Sequence, residues 1–181
     1  MTTEHGSDRG TERSPGANGK PHEKIAGGTV VERVTHQEVA AICALYKKVV
    51  ETQPGGLPVE LLKGWTPTPL EFTSWMEGVT YFVARREGRL IGSVGCEIRH
   101  GACHLVHLVV DPEFRRQGVA GALIGTAVDW ARRANAAVVW VDPLAKLTAA
   151  VGLLKHLGFS EVGVLHKHMW AEDVRVFERQ I

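Results

Sequence analysis

Two imidazoles, His104 and His107, stand on an apolar run that ends at Asp111-Pro112, and two arginines and a glycine-rich helix start follow at once. A neutral imidazole with a pKa near ~6.5 takes up a proton at neutral pH, directly or through a water. Glu97, on the preceding predicted strand, is the second candidate base. The stretch Arg115-Arg116-Gln117-Gly118-Val119-Ala120-Gly121 suits a different task. A loop that opens directly into a helix leaves backbone N–H groups unpaired in its first turn, with the positive end of the helix dipole behind them. Small residues let a phosphate or pyrophosphate approach those amides closely, and the guanidinium groups of Arg115 and Arg116 add positive charge. These residues are the parts of a site that binds a phosphate-bearing cofactor next to a proton acceptor.

The run Arg115-x-x-Gly118-x-Ala120 resembles the (Gln/Arg)-x-x-Gly-x-(Gly/Ala) signature of the GCN5-related N-acetyltransferase (GNAT) superfamily. Leu108-Val109-Val110-Asp111-Pro112 before it and Gly158-Phe159 after it are similar to the family's flanks, and the likeness spans residues 28 to 181. The resemblance implies acetyl-CoA as co-substrate, with phosphate contacts on the backbone from Arg116 through Gln117, Gly118, Val119 and Ala120 to Gly121 and the side chain of Arg115 or Arg116 alongside. It also implies that the strand before the signature splays from the strand after its helix. Backbone groups of Leu108, Val109 and Val110 would then pair with the pantetheine arm as another strand would. His104 occupies the position where several members, the histone-modifying branch among them, carry a catalytic glutamate. The N–H of Val110 is the expected oxyanion donor.

At one place the chain departs from this pattern. Many members carry Asn-x-x-Ala-x-x-x-Tyr ahead of the Gly-Phe, with the tyrosine protonating the leaving thiolate. Here Ala150 matches, but the asparagine position is Leu147 and the tyrosine position is Leu154. Leucine neither donates a proton nor hydrogen-bonds a pantetheine. Two readings follow. The first is an N-acetyltransferase that moves an acetyl group from acetyl-CoA to a primary amine of a small molecule or protein, by direct attack in a ternary complex. The second is a catalytically lapsed GNAT-fold acyl-CoA-binding or regulatory protein.

The elements that must position these residues are read from periodicity and punctuation. Residues 29–34 predict a strand, and Thr35 with Glu38 forms a capping box for a helix that ends at residues 53–56. Residues 57–67 look irregular or briefly helical, and Thr68-Pro69 opens a short helix through Met76. From Val79 the period becomes two, giving a hairpin around Glu87-Gly88, a second turn at residues 99–102 and a strand to Val110. A helix over 118–134, a strand over 136–141, a helix opened by Pro143 and a terminal antiparallel pair complete the chain. Gly118, Gly121 and Gly125 lie near one another on the first of those helices and predict a close backbone approach there. The order is α/β with a mixed sheet. It agrees with the GNAT fold, a mostly antiparallel central sheet with helices on both faces and a splayed strand pair holding the cofactor. A dinucleotide-binding reading fails because the glycine spacing is not G-x-G-x-x-G and the loop follows an antiparallel meander.

Composition sets the outer bounds. A length of 181 residues with 44% hydrophobic content fits one globular domain over 28–181, preceded by a tail over 1–27 too polar to bury surface and expected to be disordered. A net charge of +1 gives no support for nucleic acid or an anionic membrane as partner. No apolar run approaches the ~20 residues of a bilayer span and no signal-like segment opens the chain, so the expected location is cytoplasmic. A homodimer through the terminal hairpin is a further expectation.

Cys96, His100, Cys103, His104 and His107 are all possible zinc ligands. Strand alternation places His104 and His107 on opposite faces and no C-x-x-C occurs, so no metal is expected. His166, His168, Trp65 and Trp75 are candidates for the acceptor side, Lys155 for the adenosine end, and Trp130 and Trp140 for core or interface anchors.

Overall fold

The computed structural model describes residues 28–52 and 57–181; the tail expected over 1–27 and the helix stop expected over 53–56 lie outside the described residues. The elements run β1 (Val30–Arg33), α1 (Val39–Glu51), α2 (Val59–Gly64), α3 (Pro69–Trp75), β2 (Thr80–Arg86), β3 (Arg89–Arg99), β4 (Ala102–Val110), α4 (Val119–Arg133), β5 (Val138–Val141), α5 (Thr148–His156), β6 (Ser160–Met169) and β7 (Glu172–Gln180). The strands form one 7-stranded sheet in the order β1-β2-β3-β4-β5-β7-β6. Every pairing is antiparallel except that of β4 with β5.

Local chemistry starts the helices where the sequence signals them. The Thr35 amide donates to the Glu38 carboxylate at 2.7 Å, opening a 3-10 turn that feeds α1. At α3 the Thr68 amide donates to Glu71 at 2.7 Å, and Pro69 occupies the first turn, where no N–H is needed. The two sheet faces are covered separately. Leu123, Ile124, Ala127 and Val128 of α4, with Val151 and Leu154 of α5, pack on one face against Phe82, Val94, Cys96, Cys103 and Leu105. Ile42, Cys43 and Tyr46 of α1 pack on the other with Phe72 of α3, Tyr81 and Val83. Among the described residues no helix is long and apolar enough to cross a membrane.

Two expectations are corrected. Pro143 does not open a helix: α5 begins at Thr148. The residues from Pro143 to Ala145 pair with β7, with the Arg175 amide donating to the Pro143 carbonyl at 3.0 Å and Ala145 to Asp173 at 2.8 Å, before a turn in which the Leu147 amide donates to Leu144 at 3.0 Å. Leu144, 1% exposed, bridges Val174 there. Burial of one leucine in a sheet extension outweighs the helix signal of the proline. The glycines of α4 do not meet another backbone either. A Cβ on Gly125 would have nothing within 4 Å, and one on Gly121 only a Leu157 methyl at 3.8 Å. Close approach occurs instead in β3, where a Cβ on Gly92 would lie 3.1 Å from the Val109 carbonyl and one on Gly95 2.8 Å from the side chains of Tyr81, Val106 and Val79.

The feature that makes the site is the unequal length of β4 and β5. They pair only through Ala102↔Val138, Cys103↔Val139 and His104↔Trp140. Beyond that point β5 stays with β7 while β4 continues along β3 to Val110. The side of β4 from Leu105 to Val110 that would have faced β5 therefore opens into a gap. A bulge lies in the same stretch. Between Gly95↔Val106 and Ser93↔Val109, β3 advances two residues and β4 three. The extra residue is taken up at His107, whose φ is +54. Tyr46 of α1 secures it by donating its hydroxyl to the His107 carbonyl at 2.9 Å.

Candidate active site

His104 sits where the β4–β5 pairing ends. Its ring stacks on Trp140, with centroids 3.7 Å apart and planes within 5°. Its Nε2 lies 2.7 Å from Oδ1 of Asp142, two residues beyond its pairing partner on β5. A cavity of about 370 Å3 opens beside this pair, lined by His104 to Val109 of β4, Ile124, Asp142, α5 residues including Leu154, Tyr46 and Trp65. Trp140 is thus a half-buried platform for the histidine, outside the main core.

The bulge overturns the expectation that the two histidines face opposite ways. Strand alternation holds only while the register is regular, and one inserted residue flips everything beyond it. Both His104 and His107 line the cavity. His107 is stacked by Trp75 at 4.4 Å, and its Nδ1 lies 2.7 Å from the Tyr81 hydroxyl. Burial pushes the Tyr81 phenol well above its usual range, so Tyr81 is the donor and His107 Nδ1 the acceptor. Burial first, and the nearby charge of His104 second, pull the His107 pKa from 6.5 down to about 4, with Glu97 opposing. His107 is therefore neutral at pH 7.

This makes an expected result in stability. The unfolded chain binds a proton at this residue below pH 6.5, whereas the folded one does so only near pH 4. Stability is therefore lost as pH falls through that window, by about 2 kcal/mol between pH 7 and pH 5. Urea unfolding at the two pH values should show that loss, and His107→Gln should flatten it.

The loop from Arg115 to Gly121 leads into α4. Gly118, with φ +79, caps α4, and the Ala122 amide donating to the Gly118 carbonyl at 3.0 Å begins the helical ladder. The amides ahead of Ala122 have no acceptor within the helix. Arg115 and Arg116 are exposed there, Arg115 reaching the Val110 carbonyl with Nε at 3.4 Å. The acids nearby are already engaged. Lys48 lies 2.9 Å from Asp111 and 2.6 Å from Glu113, and Arg89 lies 2.9 Å and 3.0 Å from the same two groups. Burial alone would raise the Asp111 pKa, but hydrogen bonds from Lys48, the Glu113 amide and Arg89 bring it below the usual carboxylate value. This lattice anchors the base of the loop and pairs both of its carboxylates with cations.

Of the other sequence candidates, Trp65 lines the cavity and most of the rest lie away from it. Glu97 is the cross-strand partner of His104, but its carboxylate pairs with Arg99 at 2.5 Å and lies outside the cavity lining. His166 is exposed and 3.2 Å from Asp173, and His168 is exposed, while their neighbours Met169 and Trp170 reach the cavity. Trp65 lines it directly, while Trp75 is outside the lining and stacks on His107. Lys155 pairs with Glu161 at 3.4 Å. Cys96 and Cys103 are free thiols buried in the core on the α4 face, away from the histidines. Among the described residues no group of three or more His, Cys, Asp or Glu is placed to hold a metal ion. Leu147 and Leu154 both line the cavity, so the departure from the family's acid lies at the site itself. The sequence reading missed Asp142. Its only signal was a carboxylate just past a buried strand, and nothing local assigns it to a histidine 38 residues away.

The model of the acetyltransferase (GNAT) family matches residues 47–159, more than half of the chain. The chain belongs to the GNAT acetyltransferase family. Human N-acetyltransferase 8B is 35% identical over 103 residues, covering 54% of this chain and 45% of that protein. The [ribosomal protein bS18]-alanine N-acetyltransferase of Escherichia coli K12 is 31% identical over 71 residues, 39% of this chain and 48% of that one. The chain thus spans about half the length of the curated relatives it matches. Among solved structures, the GNAT fold recurs in the PaiA N-acetyltransferase of Thermoplasma acidophilum in complex with coenzyme A. That structure has a TM-score of 0.70 at 12% identity and covers 84% of this chain and 99% of its own. The ribosomal-protein-alanine N-acetyltransferase of Brucella melitensis gives 0.72 at 20%, with coverage of 84% and 99%.

Proposed function

We propose that this GNAT protein is an N-acetyltransferase that moves an acetyl group from acetyl-CoA to a primary amine of a small molecule or a protein, by direct attack in a ternary complex. The observation that carries the reading is the open side of β4, which runs from His104 into the gap and ends at the loop capped by Gly118. The parts fit the co-substrate. An extended polar arm finds unpaired strand backbone, and a pyrophosphate finds amides at a helix start flanked by two exposed arginines. Acetyl-CoA supplies a thioester activated toward amines.

The chain's own residues do the rest. Val110 lies opposite Gly92, next to the bonded position where the Asp111 amide donates to Ile91 at 2.9 Å. In an antiparallel ladder such a residue turns its amide away from its partner strand, here toward the gap. That direction suits Val110 N–H as donor to the carbonyl oxygen. His104 is the group to take the amine proton, and its place in the cavity favours it over Glu97. With leucines at 147 and 154, water reprotonates the thiolate.

The relatives' names support N-acetyl transfer, and one of them names an alanine of a ribosomal protein as acceptor. The two leucines favour a second reading, a lapsed acyl-CoA-binding protein. A screen of small amines and of peptides with free N-termini or lysines, reading thiol release from acetyl-CoA, decides between them. Acceptor-dependent thiol is expected; tight CoA binding with none from any amine establishes the second reading.

A further inference from the structure

We infer that Asp142 is a positioning residue that holds His104 in one tautomer, with Nε2–H on the carboxylate and Nδ1 left as the proton-accepting atom. The inference rests on the transferase reading for its effect on turnover, while the tautomer belongs to the resting protein. An ionised carboxylate only accepts hydrogen bonds, so a contact of 2.7 Å from Oδ1 to Nε2 requires the proton on Nε2. The Trp140 stack, 3.7 Å and 5°, confines the ring to one plane. Within that plane the Asp142 bond selects one of the two ring orientations. Both side chains are mostly buried, 19% exposed for His104 and 24% for Asp142, so water competes poorly for the contact.

The neighbouring histidine has the complementary assignment. Tyr81 occupies Nδ1 of His107, and no carboxylate is bonded to its ring among the described residues. Of the two imidazoles in the cavity, only His104 has an anionic partner to support a positive charge. As the acceptor nitrogen forms its bond to the acetyl carbon, the C–S bond breaks and its electron pair leaves on sulfur. The proton lost by that nitrogen passes to Nδ1 of His104, and Asp142 holds the resulting imidazolium.

Long-range 1H–15N NMR of the resting, 15N-labelled protein reads the tautomer directly. The expected spectrum shows His104 protonated at Nε2. In Asp142→Asn the amide NH2 can donate to Nε2 and draw the ring to the opposite tautomer. With an acceptor found by the amine screen, kcat of Asp142→Asn and Asp142→Ala should fall by about 100-fold with KM for acetyl-CoA within about twofold. A wild-type His104 protonated at Nδ1, or kcat in both variants within about threefold of wild type, overturns the inference. A wild type that shows the Nε2–H tautomer but transfers to no amine upholds the Asp142 assignment and removes the transferase reading instead.

Discussion

Replacing His104 with glutamine should lower kcat for acetyl transfer by about 100-fold or more while leaving CoA affinity within about twofold. Glutamine keeps a polar group of similar reach above Trp140 but cannot take up a proton at neutral pH. The split between kcat and affinity follows from the layout. His104 lies at the closed end of the gap, whereas the phosphate loop lies beyond the far end of β4, at residues 115–121. His107→Gln is the internal comparison, because burial holds the His107 pKa down at about 4, which makes it a weak proton acceptor, and its Nδ1 is taken by Tyr81. Steady-state kinetics paired with calorimetric CoA binding checks both. If His104→Gln retains more than about a third of kcat, the proton goes elsewhere, and Glu97, directly across the strand pair, is the next group to substitute.

Replacing Gly118 with valine should weaken CoA binding by about tenfold or more, measured by calorimetry on a protein whose melting curve shows it folded. Space is not the obstacle, since a Cβ there would meet nothing within 4 Å. The backbone is: at φ +79 and ψ −3 a β-branched residue carries strain of about 1–3 kcal/mol. The loop relieves that strain by leaving the left-handed region, which re-aims the amides of the first turn of α4. Arg116, with φ +60, tightens the same loop and would move with it. An unchanged CoA affinity in the folded variant would place the phosphates elsewhere.

Much of the fold is legible in the sequence. Thr35 with Glu38 and Thr68 with Pro69 mark helix starts because capping satisfies amides within three or four residues of the cap. The order of strands and helices follows from changes of hydrophobic period, and the loop at Arg115 to Gly121 follows from the same local logic. The opened β4–β5 gap came from family resemblance, and the structure bears it out in the pairing that stops at His104↔Trp140. Where local signals met tertiary competition they lost. Pro143 yielded to the sheet extension that buries Leu144, and the glycines expected to meet a neighbour on α4 proved open while those of β3 are the crowded ones.

By itself the sequence determined the family and the leucines at 147 and 154 where many members carry asparagine and tyrosine, and it singled out the loop at Arg115 to Gly121 and His104 as the candidates for phosphate binding and proton transfer. Each of these depends on residue identity at positions close together in the chain. The tertiary structure alone decided which histidine has an anionic partner. The bulge at His107 brings both rings to one cavity, and the parallel register of β5 brings Asp142 and Trp140 to His104. Register and bulges are set by long-range pairing and by which side chains must be buried, and a single inserted residue reverses every face beyond it. No periodicity read along one strand contains that information.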